Sequence, residues 1–189
     1  MKITKAVIIS LVLLVLVSAL YRIFPNRPYG FAPQYAMAIF GGVIFRKNKS
    51  WAFILPLLSM FLSDLLYEVL YSSGASVMPG FYQGQWQNYL LIGLLASIGF
   101  LIKKVNVLNV FIASIASPTV YFLLSNLVVW AGGGGWHHPK TFDGLMLTYQ
   151  DALPFYPNSL YATVFFSAIL FGGYYSIKNY WLSKQTQTA

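Results

Sequence analysis

Asp64 and Glu68 are the residues of this chain that packing accounts for least readily, because both fall in an apolar run over 51–71. With Phe61 and Tyr71 they are spaced i, i+3, i+7, i+10, which predicts one shared stripe along a helix. A carboxylate in hydrocarbon costs several kcal/mol and ordinarily faces protein or water. Two readings follow for Asp64: it orients a ligand, or it is a structural partner of Arg22 or Arg27. Glu68 has a third option, reaching an interface. Asn126 and Trp130, i and i+4 in a later apolar run, offer an amide and a stacking surface. Asn88 opens another run, and Asn158, Ser159 and Tyr161 open the last one. The candidate ligand-binding set is therefore Asp64, Glu68, Asn126, Trp130, Lys140 and Tyr161.

Other chemistries are missing from the sequence. Without cysteine there is no disulfide, thiolate metal site, cysteine nucleophile or lipoprotein anchor. His137 and His138 are adjacent, do not share a helix face, and lack carboxylates at ligand spacing. No GxSxG elbow is present. The Gly132–Gly135 run lacks the Lys-Ser/Thr ending of a phosphate loop, so nucleotide hydrolysis has no seat here. The expectation is a protein that is not an enzyme and uses no metal or cofactor.

The elements that must position these residues are apolar helices. Of 189 residues, 58% are hydrophobic and 8% charged, which excludes both an ordinary soluble enzyme and a disordered chain. The net charge of +8 lies in short clusters between apolar runs, the pattern of membrane topology and not of a nucleic-acid-binding face. The runs cover 6–24, 32–45, 51–71, 88–102, 107–131 and 158–177. The second and fourth are short enough to be re-entrant segments. Charge decides for six spans. With the N-terminus inside, Lys2, Lys5, Arg46, Lys47, Lys49, Lys103, Lys104, Lys178 and Lys184 are cytoplasmic, and only Arg22, Arg27 and Lys140 are outside. Turning back both short runs would erase that bias, and turning back the second alone would reverse it.

The expected fold is thus an all-α integral membrane protein, a single domain over 1–189 with six transmembrane helices, both termini cytoplasmic, and short second and fourth helices. It would sit as a multi-pass protein in the cell's inner membrane. Lys2 and Lys5 before an apolar run, with Val17-Ser18-Ala19 following, resemble a signal peptide, but the length of the run favours a retained helix. Gly41-Gly42 and Gly172-Gly173 permit close helix approach, and Ala6 and Ser10 form a small-xxx-small step that serves either internal packing or partner docking. The segment 141–153 reads as a short interfacial helix capped by Thr141 and ended by Pro154. The polar groups gather toward the outer face, where the loops are longest and richest in Trp and Tyr. That points to an outward-opening cavity, or to helix ends beneath an aromatic belt.

Specific residues also carry a resemblance. Arg22-x-x-Pro25-x-Arg27-Pro28, Phe31-Ala32-Pro33, the stretch Ala36 to Gly42, Pro56-Leu57, Ser63-Asp64, Ser125-Asn126, Val129-Trp130, Pro139-Lys140-Thr141, Gly144-Leu145 and Ala152-Leu153-Pro154-Phe155, ending near Leu170-Phe171-Gly172, resemble an uncharacterised bacterial family of six-helix integral membrane proteins. Gly30 departs from the pattern, which has Asn before Phe-Ala-Pro. More distantly, the layout is similar to the substrate-binding S component of energy-coupling-factor vitamin transporters. That similarity implies a vitamin-like solute bound from the outer face and an energising membrane partner docked through the first helix, at Ala6 and Ser10. The alternative is a non-catalytic structural or accessory subunit of a membrane complex.

Overall fold

The computed structural model describes the backbone over residues 5–133 and 135–187, and side chains over 11–133 and 135–176. Its elements are all helical: α1 (Lys5–Arg22), α2 (Gln34–Ile44), α3 (Lys49–Ser72), α4 (Trp86–Leu101), α5 (Val107–Gly132), α6 (Phe142–Ala152), a 3-10 turn (Leu153–Phe155) and α7 (Tyr156–Gln187). The six apolar runs of the sequence become α1 to α5 and α7. The segment expected at the interface becomes α6. Thr141 caps it by accepting from the Gly144 amide at 3.2 Å, and the 3-10 turn holding Pro154 leads directly into α7.

Helix length corrects one expectation. Among the described residues, only Lys49–Ser72 and Val107–Gly132 are both long and apolar enough to cross a membrane. The 11 residues of α2 rise about 16 Å, roughly half the hydrocarbon thickness. The 16 residues of α4 rise about 24 Å, also short of it. Six full spans therefore do not follow from helix length.

The short α2 lies at the centre. From Ala36 to Gly42 every residue is buried, and α3, α4, α5 and α7 pack around it. Glycine permits this wrapping. A Cβ on Gly42 would lie 2.9 Å from the Cα of Gly99, and one on Gly99 would collide with the Ile39 carbonyl, so α2 and α4 cross backbone to backbone. Gly41 serves α3. Pro56, buried inside α3, has no N–H for the Ala52 carbonyl one turn earlier, and Gly41 packs onto that same carbonyl. Gly172 and Gly173 behave differently: a Cβ on either would meet nothing within 4 Å among the described residues. Among the described residues they do not mediate the close approach expected of them. Ala6 and Ser10 lie outside the residues whose side chains are described.

The distribution of side chains inverts that of a soluble bundle. Exposed positions on the outer helices are large and apolar: Leu13, Val17 and Leu20 on α1, Ile54, Leu58, Phe61 and Leu65 on α3, Leu123 and Leu127 on α5, and Phe165 and Ile169 on α7. Several of the buried positions are small and polar, including Ser59, Ser63, Ser114, Ser117, Thr163 and Ser167.

Gly99→Ala should lower the melting temperature of the detergent-solubilised protein, by an overpacking cost of about 1–3 kcal/mol. Gly172→Ala, with open space around it, should leave the melting temperature unchanged or raise it slightly. Equal melting curves for the two variants would contradict the backbone crossing.

Candidate functional site

Asp64 is 1% exposed and fully occupied. Its Oδ1 accepts from the Arg22 guanidinium, and its Oδ2 accepts from Gln85 Nε2 at 2.5 Å and Tyr89 Oη at 2.5 Å. Arg22, the last residue of α1, also donates to Ser63 Oγ at 2.6 Å, while Tyr67 donates to the Arg22 carbonyl at 2.8 Å. Of the two arginines considered for Asp64, Arg22 is the partner. Arg27 instead donates to the carbonyls of Arg22 and Phe31, at 3.0 and 2.7 Å, and holds the first loop.

The stripe read for α3 is corrected by this packing. Phe61 is 43% and Tyr71 48% exposed, so neither shares the buried face with Asp64. The buried face runs through Ala52, Pro56, Ser59, Ser63 and Asp64. Glu68 turns to the loop after α3, where its Oε2 accepts from the amides of Gly80 at 2.9 Å and Phe81 at 3.1 Å. Gly80 needs its missing side chain there, since a Cβ would collide with the Asp64 carbonyl and stand 2.5 Å from the Glu68 amide. Gln85 completes the tie by donating to the Gly80 carbonyl at 2.9 Å while its Oε1 accepts from the Tyr82 amide at 3.1 Å.

A second polar cluster adjoins the first. Asn88 on α4 donates to Tyr82 Oη at 2.5 Å and accepts from Tyr121 Oη of α5 at 2.8 Å. Tyr121 packs against Tyr35 of α2, ring centroids 4.7 Å apart. Burial raises the pKa of the Tyr82 hydroxyl above its ordinary value. Beside these lies Gln34, 4% exposed, whose Nε2 contacts Ser59 Oγ at 3.4 Å and whose buried Oε1 has no partner among the described residues.

The first loop closes over the other side of the bundle. Asn158 and Ser159, at the start of α7, donate to the carbonyls of Tyr29 and Gly30 at 3.0 and 3.2 Å. Gly30 has φ +81°, a left-handed conformation that Gly and Asn adopt most readily. That backbone demand explains why Gly can stand where the resembling pattern has Asn.

The remaining candidates lie apart from Asp64 and Glu68. Asn126 is half-buried and donates to the Phe122 carbonyl of its own helix at 2.8 Å, which leaves its Oδ1 without a partner among the described residues. Trp130 donates to the Pro139 carbonyl at 2.9 Å, and Lys140 Nζ sits 5.3 Å from its ring centroid, so a cation already covers one ring face. Tyr161 is 68% exposed. No hydrogen bond, ion pair or ring contact among the described residues joins these four to Asp64. His138 Nε2 lies 2.6 Å from Asp151 Oδ2, and His137 Nδ1 lies 2.5 Å from the Gly133 carbonyl. No group of three or more metal-ligating side chains forms among the described residues.

Sequence reasoning missed Gln85, Tyr89, Tyr82 and Tyr121. Gln85 and Tyr82 lie in the loop before α4, Tyr89 in its first turn and Tyr121 in the middle of α5; single polar or aromatic residues so scattered carry no periodic signal, and those near helix ends read as an interfacial belt.

The chain belongs to a family of unknown function, DUF6580, whose model matches residues 2–186. No curated protein and no solved structure matches it.

Removing one member of the ion pair leaves the other charge buried and unpaired. Asp64→Asn and Arg22→Gln should each destabilise the protein by about 3–5 kcal/mol. The double variant should recover part of that loss, with a coupling of about 0.5–3 kcal/mol in a double-mutant cycle followed by melting in detergent. Additive losses would mean that the pair is not structural. Glu68→Gln should loosen only the 73–85 loop, read as faster proteolytic cleavage there with little change in melting temperature.

Proposed function

We propose that the chain is a multi-pass membrane protein that binds a small, vitamin-like solute from its outer face and contributes to its uptake. The observation that carries this reading is a single polar layer inside an otherwise apolar bundle, roofed by two tied loops. The layer comprises Arg22, Gln34, Asp64, Gln85, Asn88, Tyr89 and Tyr121. The loop over 25–33 is tied to α7, and the loop over 73–85 is tied to α3 through Glu68.

Six passes are supported by the inverted side-chain distribution and by charge. Large apolar patches facing outward are rare on soluble monomers but suit a lipid surround. Because α2 is wrapped by other helices, it need not cover the full hydrocarbon thickness itself. All four acids, Asp64, Glu68, Asp143 and Asp151, fall in the half assigned to the outside, and nine of the twelve basic residues fall in the other. In this reading the protein resides in the cytoplasmic membrane with both termini inside.

In this reading Arg22 and Asp64 hold the floor of the layer, and the ligand contacts fall to groups with spare capacity. The Gln34 Oε1 has no partner among the described residues, and Tyr35 and Tyr121 present aromatic surface. Access requires the first loop to release α7, or Tyr82 to release Asn88. Uptake requires an energising membrane partner, since no nucleotide-hydrolysing motif is present. The similarity in layout to energy-coupling-factor S components belongs to this proposal alone. One observation favours a second reading, an accessory membrane subunit: both Asp64 oxygens are saturated within the chain, as a purely structural pair would be.

Native mass spectrometry of the protein released gently from its own membrane tests the proposal. The expected result is a bound small molecule of defined mass, retained about tenfold less well by Gln34→Ala at equal expression. A stoichiometric protein partner with no small molecule would overturn solute binding in favour of the accessory subunit.

A further inference from the structure

The largest cavity described lies away from the polar layer. It is a groove of about 530 Å³ between α5 and α7, lined chiefly by Val107, Phe111, Ser114, Ser167, Phe171 and Gly172. Its origin is local: where α5 and α7 face each other, Ser114, Ser167, Ala168 and Gly172 are too small to fill the space between the helices. A Cβ on Gly172 would meet nothing within 4 Å among the described residues. The walls are apolar, and from Val107 to Ser114 the groove follows α5 for about 10 Å. Ser167 is 1% exposed and its hydroxyl has no partner among the described residues, so no side chain of α5 closes the deep end by bonding to it.

The charge beside the groove is one-sided. Val105 and Asn106 line the groove and directly follow the exposed Lys103 and Lys104. Arg46, from the turn after α2, caps the end of α4 beside them by donating to the carbonyls of Phe100 and Ile102. No acid lies between residues 69 and 142, and the four that the chain has belong to the opposite half. An apolar slot with an exposed lysine pair next to its lining residues complements a molecule with a hydrocarbon tail and an anionic head.

We infer that the groove between α5 and α7 holds one acyl chain of an anionic phospholipid from the surrounding bilayer, with its head group at Lys103 and Lys104. The inference rests on the membrane-spanning part of the proposed function and not on solute binding. The lipid would fill the gap that the small side chains leave and tie α7 to α5 on the side away from the polar layer.

Delipidated full-length protein in neutral detergent is titrated with phosphatidylglycerol and with phosphatidylcholine of the same chains, and bound lipid is read by native mass spectrometry. One phosphatidylglycerol should be retained at roughly tenfold lower concentration than phosphatidylcholine. Ala168→Trp, which fills the groove, should abolish retention of both. Lys103→Gln with Lys104→Gln, at exposed positions that leave folding intact, should remove the preference while keeping weak binding. Equal retention of the two lipids by the unaltered protein, or an unchanged preference in the lysine variant, would overturn the inference. The solute adduct is scored in the same spectra, so its absence counts against solute binding alone. Solubility of the protein without detergent would overturn the membrane reading beneath both.

Discussion

A buried carboxylate sets the terms for much of this structure. Asp64 carries a full charge into an apolar bundle, where a lone ion is untenable and every lone pair must be filled. The chain meets that demand from three directions. Arg22 arrives from the end of α1, Gln85 from the loop after α3, and Tyr89 from the first turn of α4. Each donor fixes the element that brings it, so α1, α4 and the intervening loop are all registered against α3 by one side chain. Removing the charge would release three constraints together.

The second organising constraint is steric. The central α2 is short and nearly featureless, and it is enclosed because Gly41 and Gly42 let α3 and α4 approach its backbone. Proline complements glycine at this point. The Ala52 carbonyl that loses its donor to Pro56 is the one onto which Gly41 packs, so a local defect in α3 becomes a contact surface for α2. The bundle is tight on the α2–α4 side and loose between α5 and α7, where small residues face one another without interlocking.

Function, in the reading proposed here, uses the difference between saturated and unsaturated polar groups. Asp64 is bonded at both oxygens and, with Arg22, serves as a floor, while Gln34 keeps an acceptor without a partner among the described residues. The first loop is tied to α7 by two bonds beside those of Arg27, and the second by Glu68, Gln85 and Tyr82. Such ties are strong enough to order a loop and weak enough to be exchanged for a ligand.

Helix positions were legible in the sequence because an apolar helix is a local property. The six runs, the Thr141 cap and the Pro154 break each depend on a few neighbouring residues. The clustering of charge between apolar runs was legible for the same reason, since counting it needs no contacts. The family resemblance was carried by short motifs that extend along most of the chain. The choice of Arg22 over Arg27, the turning of Glu68 to the Gly80 loop, and the separation of Asn126, Trp130, Lys140 and Tyr161 from Asp64 were decided by tertiary structure. Those outcomes depend on where helices cross and how each is rotated about its axis. Rotation is set by packing: the i, i+3, i+7 stripe through Phe61 and Asp64 was a sound helical pattern, but α3 turned its Ser59–Ser63 face inward because small side chains admit a neighbouring helix and Phe61 does not.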